Sequence, residues 1–239
     1  MSGLERATRD VVDELASGGL LGATDAVDEE RIRRITDEVT HAFRAMAPVR
    51  RGVAIFGSAR ETPVSRWGVV AREVARALVA AGFTPITGGG PGLMAAANEG
   101  AVEVGGSSVG LTIHLPDDEP ANDHLTLEVP FHYFFLRKLA FVKYSCAFVL
   151  LPGGFGTLDE LFEALNLRRT HRLHPFPVIL VGSSFWGGLV DWLRTDVVDE
   201  GTLSEEDLEL LTITDEPEGV VEQVVECHST LCRRLGIDG

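Results

Sequence analysis

From Arg51 onward, short apolar runs alternate with stretches whose apolar residues recur every three or four positions. The runs Gly52 to Phe56, Phe83 to Thr87, Ser107 to Ile113, Leu125 to Pro130, Cys146 to Leu151 and Pro177 to Val181 predict six strands. Between them, Trp67, Val70, Val74, Leu78 and Ala81 follow a helical stripe, and Leu93 to Val104 predicts a helix with Pro91 as an early helical residue. Phe131 to Tyr144 predicts a helix with aromatic and aliphatic residues spread around it, a pattern expected of a buried or subunit-interface helix. Leu158, Leu161, Phe162 and Leu165 mark a further helix. Trp186 to Val197 marks another, and Val220, Val221, Val224, Val225, His228 and Leu231 mark a last one near the end of the chain. Strands separated by helices imply right-handed crossovers and a parallel sheet, so the fold class is α/β, a Rossmann-like parallel sheet with helices on both faces.

Residues 1–50 differ from this pattern. They read as a polar helical extension in which Ile32, Ile35, Val39, Ala42, Phe43 and Met46 form one stripe, either packed on the domain or capping a partner subunit. Gly18-Gly19 and Gly22 predict a break ahead of that stripe. The organisation expected is therefore an extension over 1–50 and one α/β domain over 51–239.

Punctuation is densest where predicted strands end. Glycine-bearing turns stand at Gly57-Ser58, at Gly88 to Gly92 and at Gly153 to Gly156. In parallel sheets, ligands bind beyond the carboxyl ends of strands. A glycine-rich turn opening a helix offers backbone N–H groups and a positive dipole end to an anion. Thr157 and Glu160 also have a plain local reading as a capping box. That reading leaves the glycines directly ahead of them unexplained. A phosphate cradle with a carboxylate beside it points to chemistry on a phosphorylated sugar or nucleotide.

Composition narrows the classes. With 36 Asp+Glu against 21 Lys+Arg, the net charge of −15 opposes binding to nucleic acid or anionic membranes. Anionic ligands then need local cations, and the two lysines of the chain, Lys138 and Lys143, share one segment with Arg137. No apolar stretch approaches the roughly 20 residues of a membrane span. The charged N-terminus is unlike a signal peptide, so a cytoplasmic protein is expected. Cys146, Cys227 and Cys232 form no C-x-x-C, and His171 with His174 reads as a surface loop, so no metal site is expected. Dinucleotide and P-loop fingerprints fail: Leu93 and Asp159 stand where G-x-G-x-x-G needs glycine, and no Gly-Lys pair occurs.

These residues resemble the LONELY GUY family, whose members are often labelled lysine decarboxylases. Its signature, Pro-Gly-Gly-x-Gly-Thr-x-x-Glu, stands complete from Pro152 to Glu160. Its Arg-Lys pair matches Arg137-Lys138, its triple-glycine turn with Leu-Met matches Gly88 to Met94, and its first-strand Gly-Ser matches Gly57-Ser58. The resemblance covers about residues 51–200. It implies a homodimer or higher homo-oligomer acting as a nucleoside 5′-monophosphate phosphoribohydrolase, on cytokinin riboside 5′-monophosphates and often AMP, with no cofactor. It maps the catalytic Arg and Glu onto Arg137 and Glu160. Substrate and phosphate binding is expected at Ser58, Gly89, Gly90, Met94, Lys138, Gly153, Gly154, Gly156 and Thr157. A pyridoxal-phosphate decarboxylase needs a Schiff-base lysine, which neither Lys138 nor Lys143 is placed to supply. The competing readings are a nucleotide- or molybdenum-cofactor-binding module without hydrolase activity, and a general purine or pyrimidine monophosphate nucleosidase. Residues 1–50 and the tail beyond about 200 exceed the short family members.

Overall fold

The computed structural model describes residues 25–113, 120–170 and 176–232. The glycines at 18, 19 and 22, the histidines at 171 and 174 and the last seven residues lie outside that set. In chain order the elements are α1 (Asp25–Met46), β1 (Gly52–Phe56), α2 (Arg66–Ala80), β2 (Thr84–Thr87), α3 (Leu93–Glu103) and β3 (Val109–Ile113). There follow β4 (Leu127–Phe131), α4 (Phe134–Tyr144), β5 (Ser145–Leu150), α5 (Phe155–Arg169) and β6 (Val178–Val181). Last among the described residues come α6 (Ser183–Trp192), α7 (Glu205–Leu208), β7 (Leu211–Thr214) and α8 (Pro217–Cys227), which runs on as a π-helical stretch over His228–Cys232. Helix α6 runs on as a π-helical stretch over Leu193–Val198.

All seven strands pair in parallel in the order β4-β3-β2-β1-β5-β6-β7. Strand β1 is thus central. The chain winds outward from it to β4, then returns to its other side at β5, so the sheet changes direction between β1 and β5. The central strands are buried on both faces, which is why they read as continuous apolar runs. Alternate residues serve opposite cores: Ala54, Phe56, Phe148 and Leu150 pack with α1, α4 and α5, whereas Val53, Ile55, Val149 and Leu151 pack with α2, α3 and α8.

The helices differ from the sequence reading in instructive ways. Pro91 stands ahead of α3, which starts after Gly92, a residue with φ 70° and no side-chain cap. A Cβ at Gly92 would lie against the backbone of Ser58 and Ala59, so both its dihedral and its neighbours demand glycine. Helix α4 buries Leu136, Ala140 and Phe141 but leaves Phe134, Phe135 and Leu139 exposed. Helix α1 packs on the domain through Ile35, Val39, Ala42 and Met46, while Ile32 points to solvent. Strand β7 and the one-turn α7 are additions: Thr212 and Thr214 interrupt the apolar run in β7, and α7 is announced only by its Ser204–Asp207 capping box.

Candidate active site

Three loops leave the carboxyl ends of the neighbouring strands β2, β1 and β5, flanking the point where the sheet reverses direction, the place where open α/β sheets bind ligands. Backbone hydrogen bonds tie them together. Ser58 N–H donates to the Pro152 carbonyl at 3.0 Å, and the Ser58 carbonyl accepts from Leu93 N–H at 3.0 Å. The Ser58 hydroxyl accepts from Arg60 N–H at 3.1 Å. The β2 turn is fixed from beneath by buried polar groups. Thr87 Oγ1 meets Asn98 Oδ1 at 2.6 Å and accepts from Gly89 N–H at 2.9 Å. Asn98 Nδ2 donates to Ser108 Oγ at 2.8 Å, and Asn122 Nδ2 reaches the carbonyls of Gly89 and Gly90 at 3.0 Å each. Buried polar groups must be paired, and this pairing leaves the glycine turn few alternative conformations. None of these four side chains carries a sequence signature.

Gly88 has a different role from that of an open cradle. A Cβ there would collide with Arg137 Nη2 and lie 2.8 Å from Met94 Sδ. The missing side chain makes room for the guanidinium. Arg137 Nε donates to the Leu111 carbonyl at 2.7 Å and Nη2 to the Gly88 carbonyl at 3.3 Å, while its guanidinium carbon lies 5.5 Å from the centroid of the Phe141 ring. Two of its five N–H groups are committed in these bonds. Burial lowers the Arg137 guanidinium to about 10, against the opposing pull of Glu160.

The β5 turn opens α5. Thr157 does not cap this helix, contrary to the capping box that its spacing to Glu160 suggests. The helix begins at Phe155, with Gly154 as N-cap and no side-chain cap bond, and Thr157 lies buried inside the first turn. Its side chain folds over Gly153, where a Cβ would collide with Oγ1. The first N–H groups of α5 have no partner within the helix, and no acidic residue lies in its first turn, so this end favours an anion. Space beside Gly154 and Gly156 is open: a Cβ at either would meet nothing within 4 Å.

Glu160 follows on the same helix, and its Cβ is tilted back toward the N-terminus. Its Oε2 is shielded from solvent without a hydrogen-bond partner. Burial pushes this carboxyl up to about 7, Lys138 and Arg137 pull it down, and Glu163 and Asp159 push it further up. A half-buried carboxyl poised near neutrality beside a cation is suited to acid–base or cation-stabilising chemistry. Lys138 faces these carboxylates. Its Nζ lies 2.8 Å from Asp159 Oδ2 and 3.0 Å from Glu163 Oε2. Burial works to lower the Lys138 ammonium, but the bonds to Asp159 and Glu163 and the charge of Glu160 leave it raised overall. Asp159 and Glu163 were not anticipated from the sequence. Glu163 lies three residues beyond Glu160 on one helix, a spacing that signals a shared face.

All the sequence-predicted residues thus gather at one end of the sheet. A separate cavity of about 280 Å³ is lined by Phe162, Leu165, Leu193, Leu208 and Leu211 and includes none of them.

Comparison with known proteins places the chain in a family. The family model described as possible lysine decarboxylase matches residues 94–224. A cytokinin riboside 5′-monophosphate phosphoribohydrolase of Mycobacterium tuberculosis is 34% identical over 151 residues, covering 61% of this chain and 79% of that protein. One of Mycobacterium marinum is 31% identical over 170 residues, covering 70% of this chain and 90% of that protein. Among solved structures, the molybdenum cofactor carrier protein of Chlamydomonas reinhardtii aligns with TM-score 0.56 at 21% identity, covering 76% of this chain and 99% of that one. The molybdenum cofactor binding protein of Rippkaea orientalis aligns with TM-score 0.55, also at 21% identity, over 74% of this chain and 96% of that one. At such identities these two share the fold. By its matched family model and its relatives, the chain belongs to the LONELY GUY family, the one whose model is described as possible lysine decarboxylase.

Proposed function

We propose that the protein hydrolyses the N-glycosidic bond of nucleoside 5′-monophosphates, cytokinin riboside 5′-monophosphate and AMP among them, to the free base and ribose 5-phosphate. The observation that carries this reading is the Glu160 carboxyl, shielded at Oε2 and without a hydrogen-bond partner there, set beside Arg137 and one helical turn past an uncapped helix N-terminus. The names of the relatives support the same reading.

In the proposed reaction, water oxygen bonds to C1′, the C1′–N bond breaks, and the electron pair leaves with the base, which takes up a proton. The sugar passes through a cation-like transition state, as in other glycoside hydrolysis. The N–H groups opening α5 hold the 5′-phosphate and so fix the ribose, and ionised Glu160 stabilises the positive charge and orients water. Arg137 offsets negative charge on the nucleotide. Lys138, clamped by Asp159 and Glu163, acts on Glu160 through its charge, which favours the ionised carboxylate.

Decarboxylation of lysine fits this chain poorly. Lys138 is held as an ammonium by two carboxylates, and Lys143 lies 4.9 Å from the Phe43 ring centroid at the other end of α4. The deciding experiment is chromatography after incubation with AMP, other nucleoside monophosphates and isopentenyladenosine monophosphate. Free base with ribose 5-phosphate is expected, and the order of rates separates cytokinin activation from general nucleotide salvage. Intact nucleotides with binding retained would replace this reading by that of a nucleotide-binding module.

The active form proposed is a homodimer or higher homo-oligomer. Helices α4 and α5, joined through Lys138 and Asp159, expose Phe134, Phe135, Leu139 and Phe155, the last 93% exposed. Apolar patches of this kind mark protein interfaces. Sedimentation equilibrium is expected to give twice 25.8 kDa or a higher multiple; a species of 25.8 kDa at micromolar concentration would refute the assembly.

A further inference from the structure

The proposed reaction assigns no part to α1, yet α1 grips α4 at both ends. At the N-terminal end, Glu38 accepts two backbone hydrogen bonds, from His132 N–H to Oε2 at 3.1 Å and from Tyr133 N–H to Oε1 at 3.2 Å. Tyr133 is the N-cap of α4, extended in conformation, and its own side chain makes no cap bond. A carboxylate borrowed from another helix, some 95 residues earlier in the chain, takes the backbone N–H of the N-cap residue, the bond that an N3 glutamate makes in a capping box. Its negative charge also complements the dipole of α4. At the other end, Tyr144 Oη donates to the Phe43 carbonyl at 3.3 Å, and the two rings meet edge to face with centroids 6.1 Å apart. Besides these grips, Ala42 and Met46 share one core cluster with Tyr133, Leu136, Ala140 and Phe141.

The N-terminal grip leads directly to the site. The Tyr133 carbonyl accepts the Arg137 N–H at 3.2 Å, so the peptide unit that Glu38 fixes is followed by the one that fixes the backbone of Arg137. The guanidinium beyond it fills the space left by Gly88 and is held there by the Leu111 and Gly88 carbonyls. We propose that Glu38 is a positioning residue for Arg137, and that α1 is the strap that sets where α4 presents its guanidinium. The inference rests on the reading of Arg137 as part of the nucleotide site, and it gives the extension ahead of the domain a task in catalysis.

The test compares Glu38→Gln and Phe43→Ala in the full chain, with three readouts: amide hydrogen exchange over residues 132–138, kcat/KM for AMP, and Tm. Glutamine keeps the shape of Glu38 but turns an amide NH₂ toward one of the two N–H donors. Glu38→Gln is expected to speed exchange over 132–138 and to lower kcat/KM by about tenfold or more, as a displacement near 1 Å does at such sites. Phe43→Ala loosens the far end of α4 and is expected to lower Tm at least as much, with kcat/KM within about twofold of wild type because Arg137 keeps its anchor. Unchanged exchange and kcat/KM in Glu38→Gln would overturn the proposal. So would losses of kcat/KM that track Tm equally in both variants, the mark of a merely structural role. Should the wild-type protein release no base from any nucleotide, the nucleotidase reading falls, while the exchange of 132–138 still decides whether Glu38 holds the segment that carries Arg137.

Discussion

Glu160→Gln is expected to lower kcat for base release by at least about 10³-fold while nucleotide binding, followed by calorimetry, persists. The substitution keeps size and removes only the charge that would stabilise the sugar cation. The pH behaviour follows from the same carboxyl. Because kcat/KM reports the free enzyme, it is expected to rise with pH toward about 7 and level off above, and this limb should be missing in the variant. Stability moves in the opposite sense. The folded carboxyl keeps its proton up to about 7, whereas an unfolded one releases it near 4.5, so between these values the folded state binds more protons and loses stability as pH rises. Glutamine does not titrate. The stability of Glu160→Gln relative to wild type should therefore increase from pH 5 to pH 8, by up to about 3 kcal/mol, read as Tm at each pH. Wild-type turnover in the variant, or a stability difference independent of pH, would remove Glu160 from its assigned role.

Arg137→Lys is the second large effect, expected to reduce kcat/KM for AMP by about 10²-fold although the charge is kept. The guanidinium uses its planar fork to reach the Leu111 and Gly88 carbonyls and keeps further N–H donors for a ligand, and an ammonium on a flexible stem does not reproduce that arrangement. If Arg137 acts on the phosphate, Arg137→Ala weakens AMP binding and leaves adenosine binding unchanged in the same calorimetric titration. Equal losses for both ligands would place the guanidinium at the base or the ribose instead.

Much of this arrangement is legible along the chain, for physical reasons. Strands β1 and β5 are buried on both faces and so read as unbroken apolar runs. The site turns are legible because glycines collect where backbone must approach backbone, as at Gly92 against Ser58. Strand β7 escaped because an edge strand of four residues alternates Leu and Ile with Thr and resembles a polar connection. The capping reading of Thr157 failed because glycine at 154 lets the helix begin earlier and turns the hydroxyl onto Gly153. The partners of Lys138 and the reach of Glu38 to His132 were hidden for a common reason. They depend on which helices lie side by side, which no local pattern encodes.

The position of β1 at the centre of the sheet has a consequence for how the site comes into being. Gly52 pairs with Thr84 on one side and with Ser145 on the other, so the second pairing closes a loop roughly three times as long as the first. The longer closure costs roughly 1 kcal/mol more in chain entropy, which favours pairing of β1 with β2 first. The β1 and β2 turns can meet within the first half of the chain, but the α5 anion end and Glu160 join them only when β5 docks. A chain that has paired β1 only with β2 therefore carries half a cradle without its carboxylate, and it gains the other half in the step that adds β5.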